Sequence, residues 1–155
     1  MISTPRVDST LKADILVYDA DGLPLLVVEV KSDSRGGDCR DQVLAYQRGS
    51  RPPIPFGMVV HPETIVLIKD DPGGPREIVL STVEVLSHYE PDFGNKRIFP
   101  YYFAVLVEGW LRDLIFRWNS EEPPGLEVVR SLGLLDHLRG ATTRIEAPIH
   151  GHFVR

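Results

Sequence analysis

Residues 23–33 read LPLLVVEVKSD, an apolar run interrupted by Glu29 and Lys31. Such a run predicts a buried strand. A carboxylate or an ammonium costs roughly several kcal/mol to bury without a partner. The two charges therefore either neutralise neighbours or form a site that holds something.

Working outward, residues 13–19 (ADILVYD) predict a preceding strand, and Asp21-Gly22 between the two runs is a strong hairpin signal. With these two residues at the centre of a tight turn, Asp14 falls opposite Glu29 and Lys12 opposite Lys31. Side chains alternate with a period of two along a strand. The four charges then share one face at the far end of the hairpin, with Leu16, Tyr18, Leu25 and Val27 nearer the turn. A bulge at Pro24, which has no N–H to give, would shift the pairing by one.

Opposed carboxylates with β-carbons about 5 Å apart repel each other. In one reading Lys12 and Lys31 offset that repulsion in an ion cluster at the end of the sheet. In the other a divalent cation offsets it. Mg²⁺ takes hard oxygen ligands, usually one or two carboxylates plus waters and phosphates. Lys31 beside such an ion would stabilise an attacking hydroxide or a pentavalent phosphate, as metal-assisted phosphodiester hydrolysis requires.

The bulk numbers bound these readings. A chain of 155 residues predicts one domain with a proper hydrophobic core. The polar start, MISTPRVDST, has no apolar signal core, and no apolar run has membrane-spanning length. Cys39 is the single cysteine, which predicts a reducing, cytoplasmic setting without an intrachain disulfide. A net charge of −5 argues against strong unaided binding to nucleic acid, though not against a local basic patch.

Beyond the hairpin, SDSRGG is a loop, and Asp38 caps a helix over about 39–48 with Gly49 just past its end. FGMVVH and TIVLIKD predict two further strands around Pro62-Glu63, DDPGGP a loop and EIVL a short strand. Ser81 and Glu84 fit a capping box for a helical turn through about His88. Apolar residues from Phe103 to Trp118 recur at helical spacing after Pro100, with a core role or a homodimer contact as the use of that face. A last helix is expected from about Leu126 to Arg139, weak at Gly133, and the tail from Ile145 has no clear pattern. The whole is a mixed α/β domain with one sheet over residues 1–155, its motifs in 10–70 and C-terminal helices in 100–140.

Asp14, the Glu29-Val30-Lys31 tripeptide and the later DQVLAYQRG, with Gln42 and Tyr46 on one helix face, form an ordered set. This set resembles the PD-(D/E)XK nuclease superfamily, and most of all the nuclease domain of type I restriction enzyme R subunits, from Lys12 to about Asp70. Ala13 stands where that signature has its proline. The resemblance implies a restriction-endonuclease-like fold, a central mixed sheet flanked by helices, and hydrolysis of DNA. It assigns Asp14, Glu29 and the Val30 carbonyl to Mg²⁺ or Mn²⁺, Lys31 to the nucleophilic water, and Gln42 and Tyr46 to support of the site or contact with the substrate backbone. The family core opens with a helix that is missing here or replaced by a later one, residues 101–118 with Glu108 being the candidate.

A catalytically inactive nuclease-fold module that binds nucleic acid or a partner protein is the alternative, favoured by the acidic charge. A helicase or motor protein is a further expected partner, since no GxxxxGK[ST] phosphate loop is present. Arg35, Arg40, Arg48 and Arg51 could track a phosphate backbone or simply be solvated. His150 and His152 are a weak metal signal, His61, His88 and His137 are scattered, and no GxSxG supports a serine hydrolase.

Overall fold

The computed structural model describes residues 13–32 and 39–146. Six strands form one mixed sheet: β1 (Ile15–Tyr18), β2 (Pro24–Val30), β3 (Phe56–Val60), β4 (Thr64–Asp71), β5 (Gly74–Ser81) and β6 (Thr142–Ile145), in the order β5-β4-β3-β2-β1-β6. Helix α1 (Arg40–Gly49) connects β2 to β3, the one parallel pair. Parallel neighbours need such a crossover, whereas the remaining antiparallel pairs join through short turns or a long return. The sheet is an α/β architecture with helices on both faces.

The β1–β2 hairpin follows the expected register where it matters, with Ile15 opposite Val28 and Leu16 opposite Val27. Its turn differs. Gly22 N–H donates to the Asp19 carbonyl and Asp19 N–H to that of Leu23, so three residues, Ala20 to Gly22, span the loop. Gly22 takes φ +84°, the left-handed conformation a three-residue hairpin demands at that position. Asp19 Oδ1 accepts from the Asp21 and Leu23 amides and locks the turn. Pairing at the turn is offset by one, Tyr18 facing Pro24, and Leu25 is the extra residue that restores the register. The bulge falls on the turn side, so Ile15 to Val17 keep the expected alignment with Val28 to Leu26. It also moves Leu25 off the charge-bearing face and into the larger core.

Two cores sandwich the sheet. On one face α1 lays Val43 over Val27, Val59 and Val66. On the other, α2 (Thr82–Leu86), α3 (Pro100–Phe116) and α4 (Leu126–Leu132) bury Trp110, Phe103 and Leu111 against Val17, Val28, Met58 and Leu67. Gly57 on β3 permits the close approach of α1: a Cβ there would lie 2.5 Å from Val43 Cγ1 and closer still to Gln47 Oε1.

Several expectations shift. Helix α1 includes Gly49, and Ser50 closes it, donating its N–H and its hydroxyl to the Tyr46 carbonyl. Asp38, the expected cap, lies outside the described residues; Cys39 precedes the helix and makes no capping hydrogen bond. Residues 70–75 are a tight hairpin, Asp71 facing Gly74 across Pro72-Gly73, so β5 is twice the expected length. Its Pro75 is tolerated because β5 is an edge strand. Ser81 caps α2 as expected, accepting from the Glu84 amide, but the helix stops at Leu86. Helix α3 ends at Phe116 because Arg117 turns left-handed at φ 55°, leaving Trp118 56% exposed rather than in the core. Residues 126–139 break at Gly133 into α4 and a single 3-10 turn. Thr142–Ile145, between the expected last helix and the tail, form β6, antiparallel to β1, a strand the sequence does not announce. No described helix is long and apolar enough to cross a membrane.

Candidate metal centre

Glu29 lies near the end of β2 and Lys31 just past it, its N–H still donating to the Val60 carbonyl, so alternation puts both on the face of Val27, the α1 side. Asp14 reaches them by a route the ladder does not supply. Ile15 pairs with Val28, yet the Asp14 N–H also donates to the Val28 carbonyl at 2.9 Å. Two residues of β1 thus face one of β2, a bulge of the kind that re-aims a side chain. Asp14 and Glu29 are therefore not a ladder pair, as the two-residue turn implied. Instead Asp14 Oδ2 accepts the Val30 N–H at 2.6 Å. Its own carbonyl accepts the Glu146 N–H at 2.7 Å, so the end of β6 pins the bend.

The outcome is the juxtaposition expected from the hairpin. Asp14 is 9% and Glu29 7% exposed, and their carboxyl groups lie within hydrogen-bonding reach of each other. Lys31 Nζ stands 3.2 Å from Glu29 Oε2. Glu29 Oε1 is buried and receives no hydrogen bond, because the adjacent Asp14 carboxyl is a donor only when protonated.

The electrostatics follow. Burial first, then the Asp14 charge, pushes Glu29 up to about 7, with Lys31 offsetting only part. Burial also pushes Asp14 up to about 6, against the Val30 amide and Lys31, which favour its charged form. Burial pulls Lys31 down, but the Glu29 charge and hydrogen bond, with smaller contributions from Cys39 and Asp14, together outweigh it and hold the ammonium above its ordinary value. Two carboxylates and one ammonium leave a surplus negative charge in a partly desolvated place.

These donors suit Mg²⁺ or Mn²⁺. They are hard oxygens, one of them buried without a partner, and the carboxylate pair is the protein contribution such ions usually accept. Within an extended strand the N–H and C=O of one residue point the same way, so the Val30 carbonyl is directed toward β1 as its amide is. Among the described residues no group of three or more His, Cys, Asp or Glu side chains is arranged to hold a metal.

The other expected residues divide. Tyr46 is half-buried and packs on the small core beside Ala13 and Val27, while Gln42 is exposed on the outer side of α1. The buried glutamine of this helix is Gln47, 0% exposed, which donates Nε2 to the Ile54 carbonyl at 3.3 Å. Its Oε1 lies where a Cβ on Gly57 would stand, a relation between α1 and β3 that the sequence does not show. Glu108 does not join the carboxylates. It accepts from Thr143 Oγ1, and Thr143 pairs with Val17, whose side chain lies in the core on the opposite face.

Arg40 pairs with Glu77 at 2.8 Å, and Arg48 donates two bonds to Asp70 at 3.0 and 2.9 Å. Arg51 donates to the Arg48 and Ser50 carbonyls. Each of the three is thus engaged by a neighbouring group of the fold. Arg35, Lys12, His150 and His152 lie outside the described residues.

No family model, curated protein or solved structure matches this chain.

Proposed function

We propose that the chain is a metal-dependent nuclease that hydrolyses DNA phosphodiester bonds, with a restriction-endonuclease-like fold. One observation carries the reading: Asp14 and Glu29 bury two carboxyls in contact, with Glu29 Oε1 lacking a partner and Lys31 alongside. The order of Asp14 strand, Glu-x-Lys strand and Gln42/Tyr46 helix supports the same reading. Asp14, Glu29 and the Val30 carbonyl would hold Mg²⁺ or Mn²⁺. The ion supplies Lewis-acid polarisation of a phosphoryl oxygen. Lys31 Nζ orients the attacking water and offsets the charge that grows on the phosphate. Tyr46 braces the strand ends through the small core, and Gln42, exposed on α1, is available to the substrate backbone.

The test is cleavage of plasmid and linear DNA with Mg²⁺ or Mn²⁺, with Lys31→Ala and Asp14→Asn beside the wild type. Metal-dependent cutting reduced by about a hundredfold or more in both variants is expected, the scale for loss of a charge-stabilising group. Cutting no greater in the wild type than in the variants would remove the enzymatic reading.

A second reading has its own support. The Lys31–Glu29 ion pair already offsets part of the charge without a metal, which favours a nuclease-like fold serving as a binding module for nucleic acid or a partner protein. In that case the protein folds normally and divalent ions bind no better to it than to Glu29→Gln.

A further inference from the structure

Around the carboxyl end of β2, Ser32 follows Lys31 directly and lines a cleft of about 600 Å³. Its wall runs through Glu63 after β3, the 93–99 segment and the start of α3 at Pro100. That volume lies within the roughly 300–1,000 Å³ of small-ligand sites. The floor is apolar, with Phe93 and Phe103 buried and their rings 5.6 Å apart. The rim carries Lys96, Arg97 and Phe99, the last 65% exposed.

An exposed phenylalanine beside cations, over an apolar floor, is an unusual surface to leave in water. Arg97 lies over the Phe99 ring at 5.7 Å from its centroid and makes no ion pair among the described residues. Lys96 is 3.3 Å from Glu90, which offsets its charge, and Glu63 adds a carboxylate to the wall. The cleft is therefore not a strong electrostatic trap. Its affinity must come mainly from the ring, with Arg97 supplying one phosphate contact.

We propose that this cleft, on the α2–α3 face, holds one unpaired nucleotide of a strand that passes from Lys31 round the carboxyl end of β2, its base stacked on Phe99 and its phosphate paired with Arg97. The inference rests on the nuclease reading for the strand's path, and it adds that the substrate is single-stranded, frayed or flapped next to the cut. A base stacked on a protein ring in a side cleft has left its own duplex stack, so it is unpaired. Stacking of this kind tolerates any base, because every base has a π-face. Carboxyl ends of parallel strands, here β2 and β3, are where α/β sheets commonly receive ligands.

The experiment is fluorescence anisotropy with the full chain in EDTA, where nothing is cut, using a short labelled oligothymidylate and a blunt duplex of the same length. The single strand is expected to bind more tightly than the duplex. Phe99→Ala weakens it about tenfold. Arg97→Ala lowers the slope of log affinity against log salt by about 0.7, one phosphate on a single strand. Both side chains are at the rim, so neither substitution threatens the fold, and an unchanged Tm checks this. No binding of the single strand, equal binding of the duplex, or full affinity in Phe99→Ala overturns the cleft. Those results leave metal-dependent cleavage standing, whereas retained binding without any cleavage removes the nuclease reading and keeps the cleft.

Discussion

The Val30 amide donates to Asp14 Oδ2 at 2.6 Å, so a side chain at the start of β1 takes the place of a ladder carbonyl at the end of β2. This bond holds the Asp14 carboxyl against Glu29 despite their mutual repulsion. It engages one oxygen of Asp14 and leaves Oδ1 for another partner. The site is thus set by backbone geometry, with its charge left unbalanced.

That imbalance makes stability depend on pH in an unusual direction. Asp14 and Glu29 have folded pKa values of about 6 and about 7, above their ordinary values. A raised carboxyl contributes stability that is fully present below the unfolded pKa and is lost as pH rises through the folded one. Without metal, the protein should therefore lose stability between about pH 4 and about pH 8, on the order of 3–6 kcal/mol from the pair. Glu29→Gln should flatten that fall and raise Tm at about pH 8 by roughly 4–8 °C. Calorimetric melts in EDTA across this range check it. A wild-type Tm that rises through the window, in parallel with the variant, would contradict it.

Close packing of α1 on β3 gives a second expectation. Gly57→Ala places a methyl against Val43 Cγ1 and the buried Gln47. Overpacking of this kind costs about 1–3 kcal/mol. Urea titration should show a lower midpoint with an unchanged slope. Wild-type stability in Gly57→Ala would mean that α1 stands off the sheet.

Glu108 tests whether α3 contributes to the proposed centre. Its bond to Thr143 lies on the face opposite Glu29 and Lys31. Glu108→Gln is therefore expected to leave divalent-ion affinity within about twofold of the wild type, a change below about 0.5 kcal/mol. A tenfold loss, measured by calorimetric titration, would bring α3 into the centre after all.

Much of this was legible in the sequence, and the exceptions have physical causes. The hairpin register from Ile15 to Val17 follows from alternation and the Asp21-Gly22 turn despite the longer loop, because Leu25 absorbs the extra residue. The bulge at Asp14 could not be read, since it depends on β6, four residues whose pairing with β1 is far away in the chain. Arg40 and Arg48 looked available because their partners, Glu77 and Asp70, come from distant strands. Gln47 is not singled out by helical spacing, which does not say which face of α1 meets Gly57. The choice between ion cluster and metal site stayed open because Lys31 satisfies one oxygen of Glu29 and leaves the other.

The most direct measurement is calorimetric titration of the metal-free protein with Mn²⁺ at about pH 6.5, repeated in buffers of different ionisation enthalpy. Carboxyls poised at about 6 and about 7 must give up proton to receive a cation. One ion should bind per chain with release of up to about one proton, and both signals should vanish in Glu29→Gln and Asp14→Asn. Binding of equal strength in wild type and variants, or none in the wild type, would show that Asp14 and Glu29 do not share a metal.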